Sequence, residues 1–276
     1  MKEKTQSTKP KQIGIVVPTI FELAPLLEVI PQLQAIAKSP WQIYTAELGS
    51  VKLTAIISFI GPANAAAATE HLIGHNPNSI FDFILHGGAA GAINESLLPG
   101  DVILGAAAKI ICSKETLVVR KTLLMATTSI RYLKDGEAVR LDQLEGDSKL
   151  VKQSLALNEL LTAQFPSWNG PGWPKESALR EPQMIAGVVG SLDGWTKGLE
   201  QLNFVRDNFA VDAEDMESAY IAQIAAIHGI PNLAIRAISN NEYGQTLEKN
   251  EIIPAVQAAA QRVAFVIKKL VDSNIT

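Results

Sequence analysis

The stretch FDFILHGGAAGAINESLLPGDVILG, residues 81–105, decides the fold class of this chain. Phe81 to His86 is a short apolar run of the kind that forms a buried strand. Glycines and alanines follow at its carboxyl end, read as a turn through His86, Gly87, Gly88 and Ala89, and a further strand is expected from near Asp101. Such small residues let a ligand approach the backbone, and in α/β sheets ligands collect at the carboxyl ends of strands.

Working outward, the same alternation recurs. QIGIVVP, residues 12–18, reads as a buried strand that ends at Pro18. Glu22 to Ala35 places Leu23, Leu26, Leu27 and Ile30 at helical spacing, which predicts a helix packed on the sheet through one face. Two strands are expected at Gln42 to Leu48 and Val51 to Phe59, with Gly49-Ser50 as a hairpin signal. Gly61-Pro62 then breaks the chain, and Ala63 to Ile73 is rich in alanine and strongly helix-forming. Residues 113–183 carry a helix expected at Ser148 to Ala163 and the loop FPSWNGPGWP, in which Trp168 and Trp173 read as packed loop core, and they suggest no chemistry. Regularity returns with MIAGVVGSLDG, a strand near Phe209 to Asp212, a helix from Met216 to His228, and the strand NLAIRAIS. A terminal helix follows, with Val256, Ala259, Ala260, Val263, Ile267 and Leu270 in helical register. Strands alternating with helices, with no internal repeat, argue for one α/β domain with a largely parallel or mixed sheet. Residues 1–11 read as a disordered tail, with the domain over 12–276.

Composition narrows the function classes. With 47% hydrophobic residues and a net charge of −4, the chain is a globular protein that lacks the basic footprint of a nucleic-acid or anionic-membrane binder. A small-molecule ligand fits better. The single cysteine, Cys112, leaves no intrachain disulfide and no cysteine set for zinc, which points to a reducing, cytoplasmic setting. The apolar run after the four lysines of the N-terminus is too short for a signal peptide or a membrane span.

Four places satisfy the strand-end rule: Glu22, the His86 to Ala89 segment, Asp215-Met216-Glu217, and Ser239-Asn240. An acidic residue beside a helix start is often there only for the helix dipole, so the signal lies in the combination. HGGAAG departs from the dinucleotide fingerprint, and no phosphate loop, nucleophile elbow or zinc-protease motif occurs. Asp82, His71 and Ser58 have no spacing that supports a triad, while His75 and His228 read as surface or capping residues.

With these segments in line, the chain resembles the nucleoside phosphorylase and nucleosidase superfamily, especially its methylthioadenosine/S-adenosylhomocysteine nucleosidase and futalosine hydrolase branch. The telling pieces are GIVVPTIFELAPLL, FIGPANAAAA, HGGAAGAINESLLPGDVILG, GSLDG, AEDMESAYIAQIAAIHGIP and RAISN, spread over 13–111 and 184–272. The resemblance implies a three-layer α/β/α fold with a central mixed, twisted sheet, no metal or organic cofactor, and a homo-oligomer, dimer or hexamer, that takes a nucleoside. It implies that Glu22 activates the attacking water, that Met216 and Glu217 hold the ribose hydroxyls, and that Leu192 stacks on the base with Trp195 as a neighbour. Ile60, His86, Gly88, Ala89, Asp215 and Ser239 complete the implied substrate-binding set.

Two departures from the family pattern shape the expected reaction. Where phosphorylases bind phosphate through an arginine and a serine, this chain has His86 and Ala89, and no arginine occurs in residues 1–111. A phosphate dianion thereby loses its bidentate partner, which favours water as nucleophile. Asn240 stands where methylthioadenosine nucleosidases carry the aspartate that protonates adenine. An amide delivers no proton, but it donates and accepts hydrogen bonds in a way that suits a 6-oxopurine such as that of futalosine or inosine. The expectation is a purine nucleoside N-ribohydrolase with Glu22, Glu217 and Asn240 as its catalytic set; the alternatives are a methylthioadenosine-type nucleosidase, a phosphorylase with arginine supplied across a subunit interface, and a silent nucleoside-binding protein.

Overall fold

The computed structural model of the protein describes residues 10–37, 40–75, 80–117, 122–171 and 180–273. In chain order the first half forms β1 (Lys11–Val17), α1 (Ile20–Val29), β2 (Gln34–Ala37), β3 (Ile43–Leu48), β4 (Val51–Ile57), α2 (Pro62–His75), β5 (Phe83–Ala92) and β6 (Val102–Leu117). The middle contributes β7 (Thr122–Thr128), β8 (Ile130–Lys134), β9 (Glu137–Leu141), β10 (Leu144–Glu145), α3 (Ser148–Leu155) and α4 (Asn158–Thr162). The chain continues through β11 (Met184–Ser191), α5 (Leu199–Phe209), β12 (Ala213–Asp215), α6 (Ser218–Ile227), β13 (Asn232–Asn240) and α7 (Ile252–Asp272).

The mixed sheet expected from the sequence is present, with helices on both faces. β1 lies between β4 and β5 and runs parallel to both. β5 is also paired with β13 in parallel and with β12 in antiparallel register. β13 pairs antiparallel with β6, β6 parallel with β11, and β11 parallel with β12. These pairings close a ring of β5, β13, β6, β11 and β12, so one side of the sheet curls into a small barrel whose edges satisfy one another. The other side stays open through β4, β3 and β2. On one face, Leu23 and Leu26 of α1 and Val263, Ile267 and Leu270 of α7 pack on Ile15, Leu85 and Ile235. On the other, Ala65, Ala68 and Leu72 of α2 and Ile221 and Ala225 of α6 pack on Val16, Ile56 and Ile84. Among the described residues, no helix is long and apolar enough to cross a membrane.

Several elements differ from the sequence expectation. The helix expected through Ala35 ends at Val29, because Pro31 cannot continue it, and Gln34–Ala37 instead forms an edge strand against β3. HGGAAG is strand interior, not a turn. Its small residues serve crossing elements: a Cβ at Gly87 would lie 2.6 Å from Val263 Cγ1 and 3.1 Å from Ile267 Cδ1 of α7. The single helix expected at Ser148 to Ala163 is two short ones, α3 and α4. The strand expected near Phe209 to Asp212 is shifted to Ala213–Asp215, behind a helix α5 that buries Leu202, Val205 and Phe209 on one face. Lys11, read as tail, opens β1; residues 1–9 and Trp173 lie outside the described residues. Trp168 packs against the main core cluster, with the Arg262 guanidinium carbon 5.8 Å from its ring centre.

Gly87→Val inserts a branched side chain where α7 crosses β5. It is expected to lower stability by about 1–3 kcal/mol, the usual scale of overpacking, and denaturant unfolding measures the loss.

Candidate active site

The carboxyl ends of β1, β5, β12 and β13 meet at a cavity of about 570 Å³. Its lining includes Glu22, Ile60, Ala89, Gly91, Trp195, Glu214, Asp215, Met216, Glu217, Ser239 and Asn240. The sheet thus gathers all four segments singled out in the sequence. Gly88, His86 and Leu192 lie outside the lining.

Glu22 sits in the first turn of α1, immediately after β1. Its Oε1 accepts the Ala89 backbone N–H at 3.0 Å and its Oε2 accepts the Thr19 hydroxyl at 2.8 Å. Burial raises its pKa above the ordinary carboxylate value, against the Ala89 N–H, the Arg236 charge and Thr19, which lower it. Glu217 stands just before α6, and its Oε1 accepts the Gly61 N–H at 3.0 Å. Burial pushes its pKa up to about 7, with Arg236 opposing and the charges of Asp215 and Glu22 adding.

Between these carboxylates lies Arg236, which the sequence reading passed over inside the strand NLAIRAIS. Its side chain is 0% exposed. Nε lies 2.8 Å from Asp215 Oδ2 and donates to Ser218 Oγ at 3.0 Å, and Nη1 is 3.8 Å from Glu217 Oε2. Nη1 and Nη2 have no hydrogen-bond partner among the described residues. A Cβ at Gly88 would sit 2.3 Å from Arg236 Nη1 and 2.7 Å from Glu22 Oε1, so this glycine is the gap through which the Glu22 carboxylate and the guanidinium approach each other. A lone arginine in an apolar strand, opposite a Gly-Gly pair, was the available signal. Asp215 anchors the group from below, accepting Ser191 Oγ at 2.6 Å, the Glu217 and Ser218 N–H groups at 3.2 Å, and the Ser218 hydroxyl.

The remaining site candidates divide. His86 is buried beneath the cavity, its Nε2 3.3 Å from Asn232 Oδ1, and burial and Arg236 push its pKa down to about 3. It is therefore neutral at ordinary pH and cannot replace a phosphate-binding cation. Leu192, expected to stack on the base, packs instead with Ile93, Ile111 and Val205; Trp195 lines the cavity. Asn240 accepts Ser239 Oγ at 2.9 Å on Oδ1 and directs Nδ2 toward Glu242 Oε1 at 3.4 Å. Glu214 is a lining carboxylate that the sequence reading missed. Burial raises its pKa to about 7, with Thr196 hydrogen bonding opposing and the charges of Asp215 and Glu242 adding. Ser58, Asp82 and His71 make separate contacts, to Phe59 O, to the Gln12 N–H and to the His75 ring, and form no triad. Among the described residues, no group of three or more His, Cys, Asp or Glu side chains is placed to hold a metal ion.

The family model of the phosphorylase superfamily matches residues 12–272. A 5'-methylthioadenosine/S-adenosylhomocysteine nucleosidase of Haemophilus ducreyi is 23% identical over 231 residues, covering 83% of this chain and 84% of that protein. The futalosine hydrolase of Helicobacter pylori superposes with a TM-score of 0.69 at 18% identity, over 95% of this chain and 98% of that one. A Neisseria meningitidis 5'-methylthioadenosine/S-adenosylhomocysteine nucleosidase, solved with methylthio-immucillin-A, gives a TM-score of 0.69 at 20% identity, over 95% and 99% of the two chains.

Two outcomes follow from the buried charges. Arg236→Met strips Asp215 and Glu217 of their cation and is expected to cost about 3–5 kcal/mol, read by urea unfolding. Glu214 binds its proton more tightly folded, at about 7, than an ordinary carboxyl at 4.5. Its contribution to stability is therefore full below pH 4.5 and is lost as pH rises through 7. Glu214→Gln is expected to flatten the stability profile across that window, and a profile parallel to the wild type would contradict the assignment.

Proposed function

The chain belongs to the phosphorylase superfamily, and on that premise we propose that it is a nucleosidase that hydrolyses the N-glycosidic bond of a purine nucleoside, with a 6-oxopurine as leaving base. The observation that carries this reading is Glu22: a buried carboxylate clamped by Thr19 and Ala89 at the edge of a nucleoside-sized cavity, beside a buried arginine. In the reaction, water attacks the anomeric carbon and passes its proton to Glu22. The C–N bond breaks, its electron pair leaves with the base, the base takes up a proton from solvent water, and Glu22 returns its own to solvent. A base whose pKa is raised toward working pH suits this transfer. Glu217, fixed through one oxygen by Gly61, offers the other to the ribose hydroxyls, and those bonds strengthen as the sugar gains positive charge. Trp195 stacks on the base, and Asn240 donates to its edge.

The charge pattern supports water over phosphate as nucleophile. The cavity lining holds Glu22, Glu214, Asp215 and Glu217 and no lysine or arginine. Arg236, outside the lining, holds Asp215 through Nε at 2.8 Å and stands 3.8 Å from Glu217 through Nη1. A phosphate dianion would enter a field of its own sign. The futalosine hydrolase and methylthioadenosine nucleosidase relatives support hydrolysis as the reaction class. Asn240 favours a base that needs hydrogen bonds at its edge over one that needs an acid. Phe59, Ile60 and Ile253 line the cavity mouth yet remain exposed, an apolar rim that supports assembly with a second copy.

The protein is to be incubated with futalosine, inosine, methylthioadenosine and adenosine, each with and without phosphate. Free hypoxanthine and free sugar, independent of phosphate, are expected; adenine release alone overturns the base assignment, and sugar 1-phosphate overturns hydrolysis. Glu22→Gln is expected to lower turnover by at least about 10²-fold while leaving the fold intact by circular dichroism.

A further inference from the structure

A buried histidine stands on the same face of the sheet as the buried guanidinium. β13 runs parallel to β5 with Ala234 paired to His86 and Arg236 paired to Gly88. Side chains two residues apart on a strand share a face and lie about 6.6 Å apart along it. The Arg236 guanidinium lies over Gly88, so the His86 ring is its neighbour on that face. Asn232 precedes both, paired to Ile84 two residues before His86. Asn232, His86 and Arg236 therefore form a buried polar ladder that runs from the start of β13 up to the carboxylates of the site.

Hydrogen bonding fixes which ring nitrogen of His86 carries the proton. Nε2 lies 3.3 Å from the Asn232 carbonyl oxygen, which only accepts, so Nε2 is the N–H of the ring. Burial and the Arg236 charge keep the ring neutral, which leaves a bare lone pair on Nδ1. That lone pair points away from Nε2–H, hence away from Asn232 and along the face toward Arg236. Among the described residues, His86 Nδ1 is buried without a hydrogen-bond partner, and so are Arg236 Nη1 and Nη2. The first is an acceptor and the other two are donors. A buried polar atom left unpaired is costly, and a buried water needs polar partners of both kinds. The spacing along the strand matches one water molecule making two bonds of about 2.8 Å.

We propose that His86 is a positioning residue for Arg236: an internal water donates to His86 Nδ1 and accepts from an Arg236 Nη, and this link holds the guanidinium between Glu22 and Glu217. The kinetic part of its test rests on the nucleosidase reading above, which the inference deepens by naming what holds the cation. Arg236 is anchored at Nε by Asp215 and Ser218, whereas its Nη end is 3.8 Å from Glu217. A second anchor at that end fixes the plane of the group. A charged imidazole would repel the guanidinium and offer it no lone pair, so the neutrality of His86 is what suits it to this place.

Two substitutions separate the ring nitrogens. His86→Gln keeps a donor at the place of Nε2 and removes the acceptor at Nδ1, whereas His86→Asn keeps an acceptor at the place of Nδ1 and removes the Nε2 donor. With the nucleoside that the wild type cleaves, His86→Gln is expected to lower kcat about 10-fold, the scale of one hydrogen bond to a charged group, with KM changed by less than about 3-fold. His86→Asn, the conservative change at the atom in question, is expected to lose at most about 3-fold in kcat. Equal losses, or a greater loss in His86→Asn, overturn the inference, because a packing role moves both variants alike and a role for the Asn232 bond moves His86→Asn. A crystal structure of the wild type needs no variant to fold. It is expected to show a water within hydrogen-bond distance of both His86 Nδ1 and an Arg236 Nη, and any other partner at Nδ1, or no water there, overturns the link. A wild type that cleaves no nucleoside overturns the nucleosidase reading alone, and the crystal structure then decides this inference by itself.

Discussion

The site depends on one buried guanidinium. Arg236 carries a full charge inside the sheet with no solvent contact, an arrangement that would cost several kcal/mol without partners. Asp215 and Glu217 supply the compensation, and the guanidinium in turn offsets part of the burial penalty on Glu22 and Glu217. Each carboxylate is also tied to backbone or hydroxyl donors: Glu22 to Ala89 and Thr19, Glu217 to Gly61, Asp215 to Ser191 and Ser218. The cluster therefore holds the Glu22 and Glu217 carboxylates in fixed positions at the cavity, which is the condition for electrostatic preorganisation.

The fold supplies the places for these residues. Closure of β5, β13, β6, β11 and β12 into a ring brings the short strand β12 against the end of β5, and thereby sets Asp215 and Glu217 opposite Glu22. Glycine recurs on β5 because close approach demands it: α7 at Gly87, and Arg236 and Glu22 at Gly88. Small residues in this strand are a packing requirement of the crossing helix and a chemical requirement of the site at once.

Much of this was legible in the residues. The apolar runs at β1, β4, β5 and β13, the alanine-rich α2, and the regular stripe of α7 follow from period and composition alone. Where local pattern misled, a tertiary partner had overridden it. HGGAAG looks like a turn because glycine and alanine have little strand preference, yet the ladder to β13 pairs it from His86 to Gly91 and holds it extended. The helix α5 was hidden because its polar face, with Glu200, Arg206 and Asp207, breaks the apolar signal, while Leu202, Val205 and Phe209 acquire meaning only against the core they fill.

The sequence by itself determined the alternation of strands and helices, the order of the acidic and glycine segments, and the net negative charge, because these are properties of local period and composition. Only the tertiary structure decided that Arg236 is buried against Asp215, that His86 lies beneath the cavity, that Trp195 and not Leu192 lines it, and that Glu214 and Asn240 are both paired with Gly91. Those facts follow from which strands pair and in what register. Residues separated by more than a hundred positions become neighbours through ladders that no local pattern encodes.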